Sequence, residues 1–152
     1  MSITTTTHLN FRGNAREALE FYTSVFGGEL TIATYGDFGM PRDVPGAENV
    51  VFGQIENANG FRVMAYDIPG AGEAEPGETR RENGATITTQ PFFVAVRGET
   101  LEEIQDYWAT LSAGASIVEP LAASAWSPGF GMLTDSYGVT WILDVAVAYP
   151  AE

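Results

Sequence analysis

The chain carries one histidine, His8, and no cysteine. Those two facts narrow its chemistry at once. Without a thiol there is no disulfide, no thiolate nucleophile and no thiolate ligand for a metal. The compartment's redox state leaves no mark either. His8 is the ready proton shuttle, because imidazole is the side chain that gains and loses a proton near neutrality. The same ring can equally do no more than hydrogen-bond within a sheet. Asp144, in the run Trp141-Ile142-Leu143-Asp144, is the second residue of catalytic type. Either it faces a binding site, where burial would call for a cation such as Arg62, or it lies on the surface. Trp126 and Phe130 flank the turn Ser127-Pro128-Gly129 and have the flat faces to stack on a planar ligand. Packing is their alternative use.

The elements that must position these residues are organised around HLNFRGNAREALEFYTSVFGG at 8–28. It predicts a strand from His8 to Phe11, a turn at Gly13 and a helix from Ala15 to about Phe26. Asn14 is the expected N-cap, with Glu17 placed to complete a capping box. Ala18, Leu19, Tyr22, Val25 and Phe26 recur at helical spacing and give one apolar face. Gly27-Gly28 supplies the stop. The pattern returns 85 residues later in VAVRGETLEEIQDYWATL at 94–111, matching Arg12 to Arg97, Gly13 to Gly98, Glu17 to Glu102 and Tyr22 to Tyr107. A second echo, at an offset of 78, matches Phe52-Gly53 to Phe130-Gly131 and Gly60 to Gly138. Two echoes in one order indicate a duplicated module, and the repeated tyrosines belong to core or interface.

The remaining elements follow from alternation and breakers. Strands are expected at 29–36, 49–56 and 61–67, with Asn57–Gly60 as a hairpin turn and 37–47 as a Gly/Pro-rich loop. Residues 69–85 read as an inter-module linker or lid. A strand at 86–97 and a helix at 99–113 open the second module. The strand at 115–124 contains Pro120 and so belongs at an edge or a bulge, and strands at 129–134 and 139–147 close the chain. The fold class is α+β. The organisation is 1–68 first module, 69–85 connection and 86–152 second module, together one structural domain.

Composition excludes several partners. Net charge is −13 with seven basic residues, so phosphate backbones and anionic membranes are repelled and no nucleic-acid or membrane partner is expected. No run of 18 apolar residues suits a transmembrane helix. MSITTTTHLNF has no basic stretch followed by a long apolar one, so no signal peptide is read there and a cytoplasmic location is the expectation.

LNFRGNAREALEFYTSVFGGEL at 9–30 and WSPGFGMLTDSYGVTWILD at 126–144 resemble the vicinal oxygen chelate superfamily. That group includes glyoxalase I, bleomycin-resistance proteins, fosfomycin-resistance enzymes and extradiol dioxygenases. The branch it resembles is that of the PhnB-like proteins, often labelled demethylubiquinone methyltransferase-like. The resemblance spans nearly the whole chain. It implies two paired βαβββ modules forming a partly open, eight-stranded barrel-like cleft, and a homodimer. On that fold, alternation would turn Thr6, His8, Asn10, Arg62, Met64 and Tyr66 into the cleft, with Phe93, Ala95, Thr140, Ile142 and Asp144 from the second module.

Metal-dependent relatives place ligands on the first and last strands of each module. Here those positions hold His8, Met64, Pro91 or Phe93, and Ile142. Gln54, Glu56 and Asp144 are the substitute donors available beside His8, too few of the usual kind for a divalent ion. The resemblance therefore implies a metal-free small-molecule-binding protein without a cofactor. Its ligand residues would be His8, Asn10, Arg62, Met64, Tyr66, Phe93, Trp126, Phe130 and Asp144. A resistance-like sequestering role suits the acidic charge where the bound drug is cationic. The alternative is an enzyme: a glyoxalase-type lyase, isomerase or transferase dependent on a divalent metal such as zinc. It would use His8 with Gln54, Glu56 or Asp144, and His8 and Asp144 are the catalytic candidates. Methyl transfer is not expected. The doubly wound site for S-adenosylmethionine needs a Gly-rich turn from strand into helix, and Gly27-Gly28 follows a helix instead.

Overall fold

The computed structural model describes residues 2–73, 75 and 77–147. The chain divides into two compact units, Met1–Glu75 and Pro76–Glu152. In the first unit the order is β1 (Thr7–Phe11), α1 (Ala15–Phe26), β2 (Glu29–Thr34), a short 3-10 turn (Gly36–Phe38), β3 (Val50–Glu56) and β4 (Arg62–Asp67). The second unit holds β5 (Thr79–Glu82), β6 (Ala85–Thr88), β7 (Val94–Gly98), α2 (Leu101–Leu111), β8 (Ser116–Ala122), β9 (Phe130–Thr134) and β10 (Thr140–Val145). Their main sheets run β1-β4-β3-β2 and β7-β10-β9-β8, so the duplicated βαβββ topology is present in both. In each, the first strand lies parallel to the last and the other pairs are antiparallel.

Each helix covers one face of its sheet. Leu19 and Tyr22 of α1, and Ile104 and Leu111 of α2, are fully buried, each contributing about 1.5–3 kcal/mol of apolar burial. The repeated Phe-Gly pairs now have a physical reason. A side chain at Gly53 would collide with Leu19 Cδ1 of α1, and one at Gly131 would come within 2.7 Å of the Trp108 ring of α2. Glycine at both places lets the helix lie close on the third strand of its module.

The helix starts differ from expectation. Asn14 sits at the α1 N-cap but its side chain makes no cap bond. Asp67, at the end of β4, replaces it. Its Oδ1 accepts from Gly13 N–H at 2.8 Å and Ala15 N–H at 3.0 Å, and its Oδ2 accepts from Val50 N–H at 2.8 Å. Parallel pairing sets Phe11 opposite Asp67, which brings a full negative charge to the helix N-terminus, where it is favoured over a neutral amide. The Tyr35 hydroxyl donates to the Asp67 carbonyl oxygen at 2.7 Å. Burial above all, with Tyr66 and Asp67 nearby, pushes the Tyr35 phenol up, so it remains a donor. In α2 the cap is local: Thr100 accepts from Glu103 N–H at 3.2 Å.

The second module's start also needs correction. Part of the stretch read as a linker is β5, which pairs with β6 across a two-residue turn at Asn83 (φ 51°) and Gly84 (φ 77°). The strand expected at 86–97 is really two, β6 and β7. Pro120 behaves as expected: β8 is an edge strand whose register with β9 shifts on both sides of Glu119.

Candidate functional site

Opposite its helix, each sheet presents a second face. In the first unit Leu9 and Phe11 are buried while His8 and Asn10 are exposed, and Val63, Ala65 and Asp67 are buried while Arg62, Met64 and Tyr66 are half-buried. The expected parity therefore holds. Register sets His8 beside Met64, Asn10 beside Tyr66 and Met64 beside Gln54. Five predicted ligand residues, His8, Asn10, Arg62, Met64 and Tyr66, thus share one face. His8 Nδ1 lies 3.0 Å from Asn10 Oδ1, and its ring meets Tyr66 edge-on at 5.3 Å between centroids. Arg62 is paired with Glu56, which also accepts from Gln54 Nε2 at 3.2 Å.

Within the first unit this face offers few donors for a divalent ion. Met64 stands between His8 and Gln54, so the backbones that carry those donors are two strand spacings apart, roughly 9–10 Å. Zinc needs its ligand atoms about 2 Å from a common centre. Glu56 lies opposite Arg62 and is neutralised by it. Among the described residues, no group of three or more His, Asp or Glu side chains is placed to hold a metal.

In the second unit Phe130, Asp144 and Trp126 come close together. Asp144 lies opposite Phe130 on β9 and opposite Arg97 on β7, and Trp126 meets Phe130 edge-on at 5.3 Å. The cation that offsets Asp144 is Arg97, not Arg62. Arg97 Nε and Nη2 donate to its two carboxylate oxygens at 2.9 Å each. The Asp144 side chain is 11% exposed and that of Arg97 62%, so the carboxylate is nearly covered while the guanidinium faces outward. Phe93 precedes β7 and is not the counterpart of His8. Register places Ala95 beside Ile142, the relation His8 bears to Met64. The second module's equivalent of the histidine position is thus a methyl group.

Two residues of this face escaped sequence reasoning. Arg97 was visible only as a repeat match. Arg81 stands on β5 and reaches the same sheet, its guanidinium 5.7 Å from the Phe130 ring centroid. The Asn83-Gly84 pair was the available signal for a hairpin there. A depression of about 300 Å³ beside the start of α2 is lined by Thr100, Glu102, Glu103, Asp106 and Tyr107, none of them a predicted site residue.

The comparisons agree with this architecture. The profile of the Glyoxalase/Bleomycin resistance protein/Dioxygenase superfamily matches residues 7–143. Protein YjdN of Escherichia coli K12 is 28% identical over 95% of this chain and 97% of its own length. The crystal structure of protein PA1353 from Pseudomonas aeruginosa superposes with a TM-score of 0.77 at 26% identity, covering 95% of this chain and 98% of that one. A PhnB protein from Bacillus cereus does so with a TM-score of 0.67 at 30% identity, over 95% of this chain and 100% of that one. With two βαβββ units in an α+β glyoxalase-like fold and PhnB-like relatives along its length, the chain belongs to the Glyoxalase/Bleomycin resistance protein/Dioxygenase superfamily.

Proposed function

We propose that this chain is a small-molecule-binding member of its superfamily that works without a metal or other cofactor. The observation that carries the reading is the outer face of β1, β4 and β3. Its histidine is flanked by Asn10 and Tyr66, and Met64 occupies the position between His8 and Gln54. A surface of aromatic and apolar groups with a few polar anchors suits an organic ligand. On this reading His8, Asn10, Arg62, Met64 and Tyr66 contact the ligand in the first unit. In the second unit, taken by itself, the proposed ligand residues are Phe93, Trp126, Phe130 and Asp144. The protein acts as a cytoplasmic homodimer, which light scattering of the purified chain tests. No described helix is long and apolar enough to cross a membrane.

Purified protein, prepared without added ligand, is the direct test. Elemental analysis is expected to find no stoichiometric zinc, nickel or manganese, and native mass spectrometry to find a retained organic adduct that weakens in Tyr66→Ala. One equivalent of metal, lost in His8→Ala, would sink the proposal and favour the glyoxalase-type enzyme. Heat on titration with S-adenosylmethionine would instead favour the methyltransferase label.

A further inference from the structure

The chain's seven strong cations are all arginines. Arg42, Arg62, Arg80 and Arg97 each hold a carboxylate within hydrogen-bond reach. Arg81 differs. Its side chain is only 17% exposed, and its Nη1 donates to Thr86 Oγ1 at 2.9 Å. The nearest carboxylate, Glu119, stands 3.6 Å from Nε. That is close enough for an ion pair but too long for a hydrogen bond, and the buried Nε–H has no acceptor. A guanidinium N–H withdrawn from water normally finds one, because dehydration without a partner is costly.

The surroundings are those of a ligand contact. The guanidinium lies over Phe130, Trp126 is edge-on to the same ring, and the Thr86 hydroxyl points at Met132 Sδ at 3.7 Å. The hairpin thus supplies one cation and the sheet supplies aromatic and apolar groups, all within one unit. Glu119 is the more open member: its side chain is 41% exposed and it sits between two register shifts on an edge strand. A bound carboxylate could take the place that Glu119 fills at too great a distance.

We propose that the junction of the β5–β6 hairpin with the outer face of β8 and β9 binds a small molecule bearing a carboxylate on a flat apolar body. The carboxylate pairs with Arg81, displacing Glu119, and the body rests against Phe130 and Trp126. A planar carboxylate matches the fork of a guanidinium. A dianionic phosphate would meet one cation beside an acidic residue and is the poorer fit. The proposal rests on the small-molecule reading and adds the ligand's class.

The test uses two probes of one shape, 2-naphthoate and the uncharged 2-naphthamide, titrated into the full chain. Binding is followed by calorimetry and by the arginine Nε–Hε signals in a ¹H–¹⁵N correlation spectrum. 2-Naphthoate is expected to move the Arg81 Nε–Hε signal and the Phe130 and Glu119 amides, and to bind about tenfold or more weakly to Arg81→Gln, the scale of one charged hydrogen bond. Because Arg81→Gln can loosen the hairpin, Glu119→Gln gives the opposite sign: it keeps Arg81 packed and should tighten 2-naphthoate about threefold, as expected for removing a partly exposed competing charge. Equal affinity for the two probes, with no effect of Glu119→Gln, would overturn the carboxylate class and leave small-molecule binding standing. Shifts confined to other arginines would overturn the site. No response to either probe, together with no organic adduct in the purified protein, would remove both readings.

Discussion

Replacing Asp67 by alanine is expected to be the most destabilising single change at a polar residue of the first unit. Asp67 is 1% exposed, and its carboxylate holds three backbone N–H groups from two different segments, the start of α1 and the start of β3. Ala15 and Val50 N–H are buried, while Gly13 N–H is partly exposed and can take water. A buried donor left unpaired costs about 1–3 kcal/mol. Two such donors, plus the lost charge at the helix start, give about 3–5 kcal/mol in all. That is a large share of the roughly 5–15 kcal/mol by which a domain is stable, and it corresponds to a fall in Tm of about 8–15 °C for a chain of this size. Asp67→Asn keeps one acceptor oxygen but turns an NH₂ group toward Val50 N–H, so about 1–3 kcal/mol should be lost. Thr100→Ala, which removes the local cap of α2, is the reference and should cost about 1 kcal/mol. Urea unfolding followed by far-ultraviolet circular dichroism reads both units. Tryptophan fluorescence reads the second alone, since Trp108, Trp126 and Trp141 all lie there. A loss below about 1 kcal/mol for Asp67→Ala, no larger than that of Thr100→Ala, would show that the carboxylate is not the tie that joins helix to sheet.

Three other outcomes follow from the same structure. Gly53→Ala and Gly131→Ala should each lower stability by about 1–3 kcal/mol through overpacking against Leu19 and Trp108; a neutral result at either, in chemical denaturation, would mean that the helix can lift off the strand at no cost. Arg97→Ala should destabilise by about 1–2 kcal/mol, more than Asp144→Ala at under about 1 kcal/mol, because the first leaves a covered carboxylate without its cation and the second leaves an outward guanidinium in water; the reverse order refutes the argument. Asp37 accepts the Thr34 N–H and is bonded by Arg42, which together hold its carboxyl below the usual aspartate value. The sign follows: its contribution is present above the unfolded carboxyl's range and is lost as pH falls through the lower folded value. Carbon-13 titration of the Asp37 carboxyl checks this, and a midpoint at or above the ordinary range would contradict it.

Much of the fold was legible because it is written locally. The apolar spacing of Ala18, Leu19, Tyr22, Val25 and Phe26, closed by a Gly27 that takes a φ of 74°, marked α1 at its observed ends. Alternation assigned His8, Asn10, Arg62, Met64 and Tyr66 to one face, and Pro120 marked an irregular edge. The misses involve partners far apart in sequence. Asp67 displaced Asn14 as the cap from 52 residues beyond Ala15. Matching Gly13 to Gly98 by identity made Phe93 the counterpart of His8, whereas pairing with β10 decides the register and makes Ala95 the equivalent position. Arg97 was recorded as a repeat match and not as the partner of Asp144, 47 residues away. The β5–β6 hairpin is a different kind of miss. Its Asn83-Gly84 turn was as plain as that at Asn59-Gly60 but stood beside a stretch dense in glycine, proline and charge.

The irregular course of β8 also governs how the molecule meets its own kind at high concentration. A straight outer strand offers a row of unused amides and carbonyls on which a neighbouring chain can extend the sheet. Here Pro120 has no amide hydrogen to give, and the shifts on either side of Glu119 break the row into pieces too short to template another strand. That rim of the second sheet is self-terminating, and fibrous growth would have to start elsewhere.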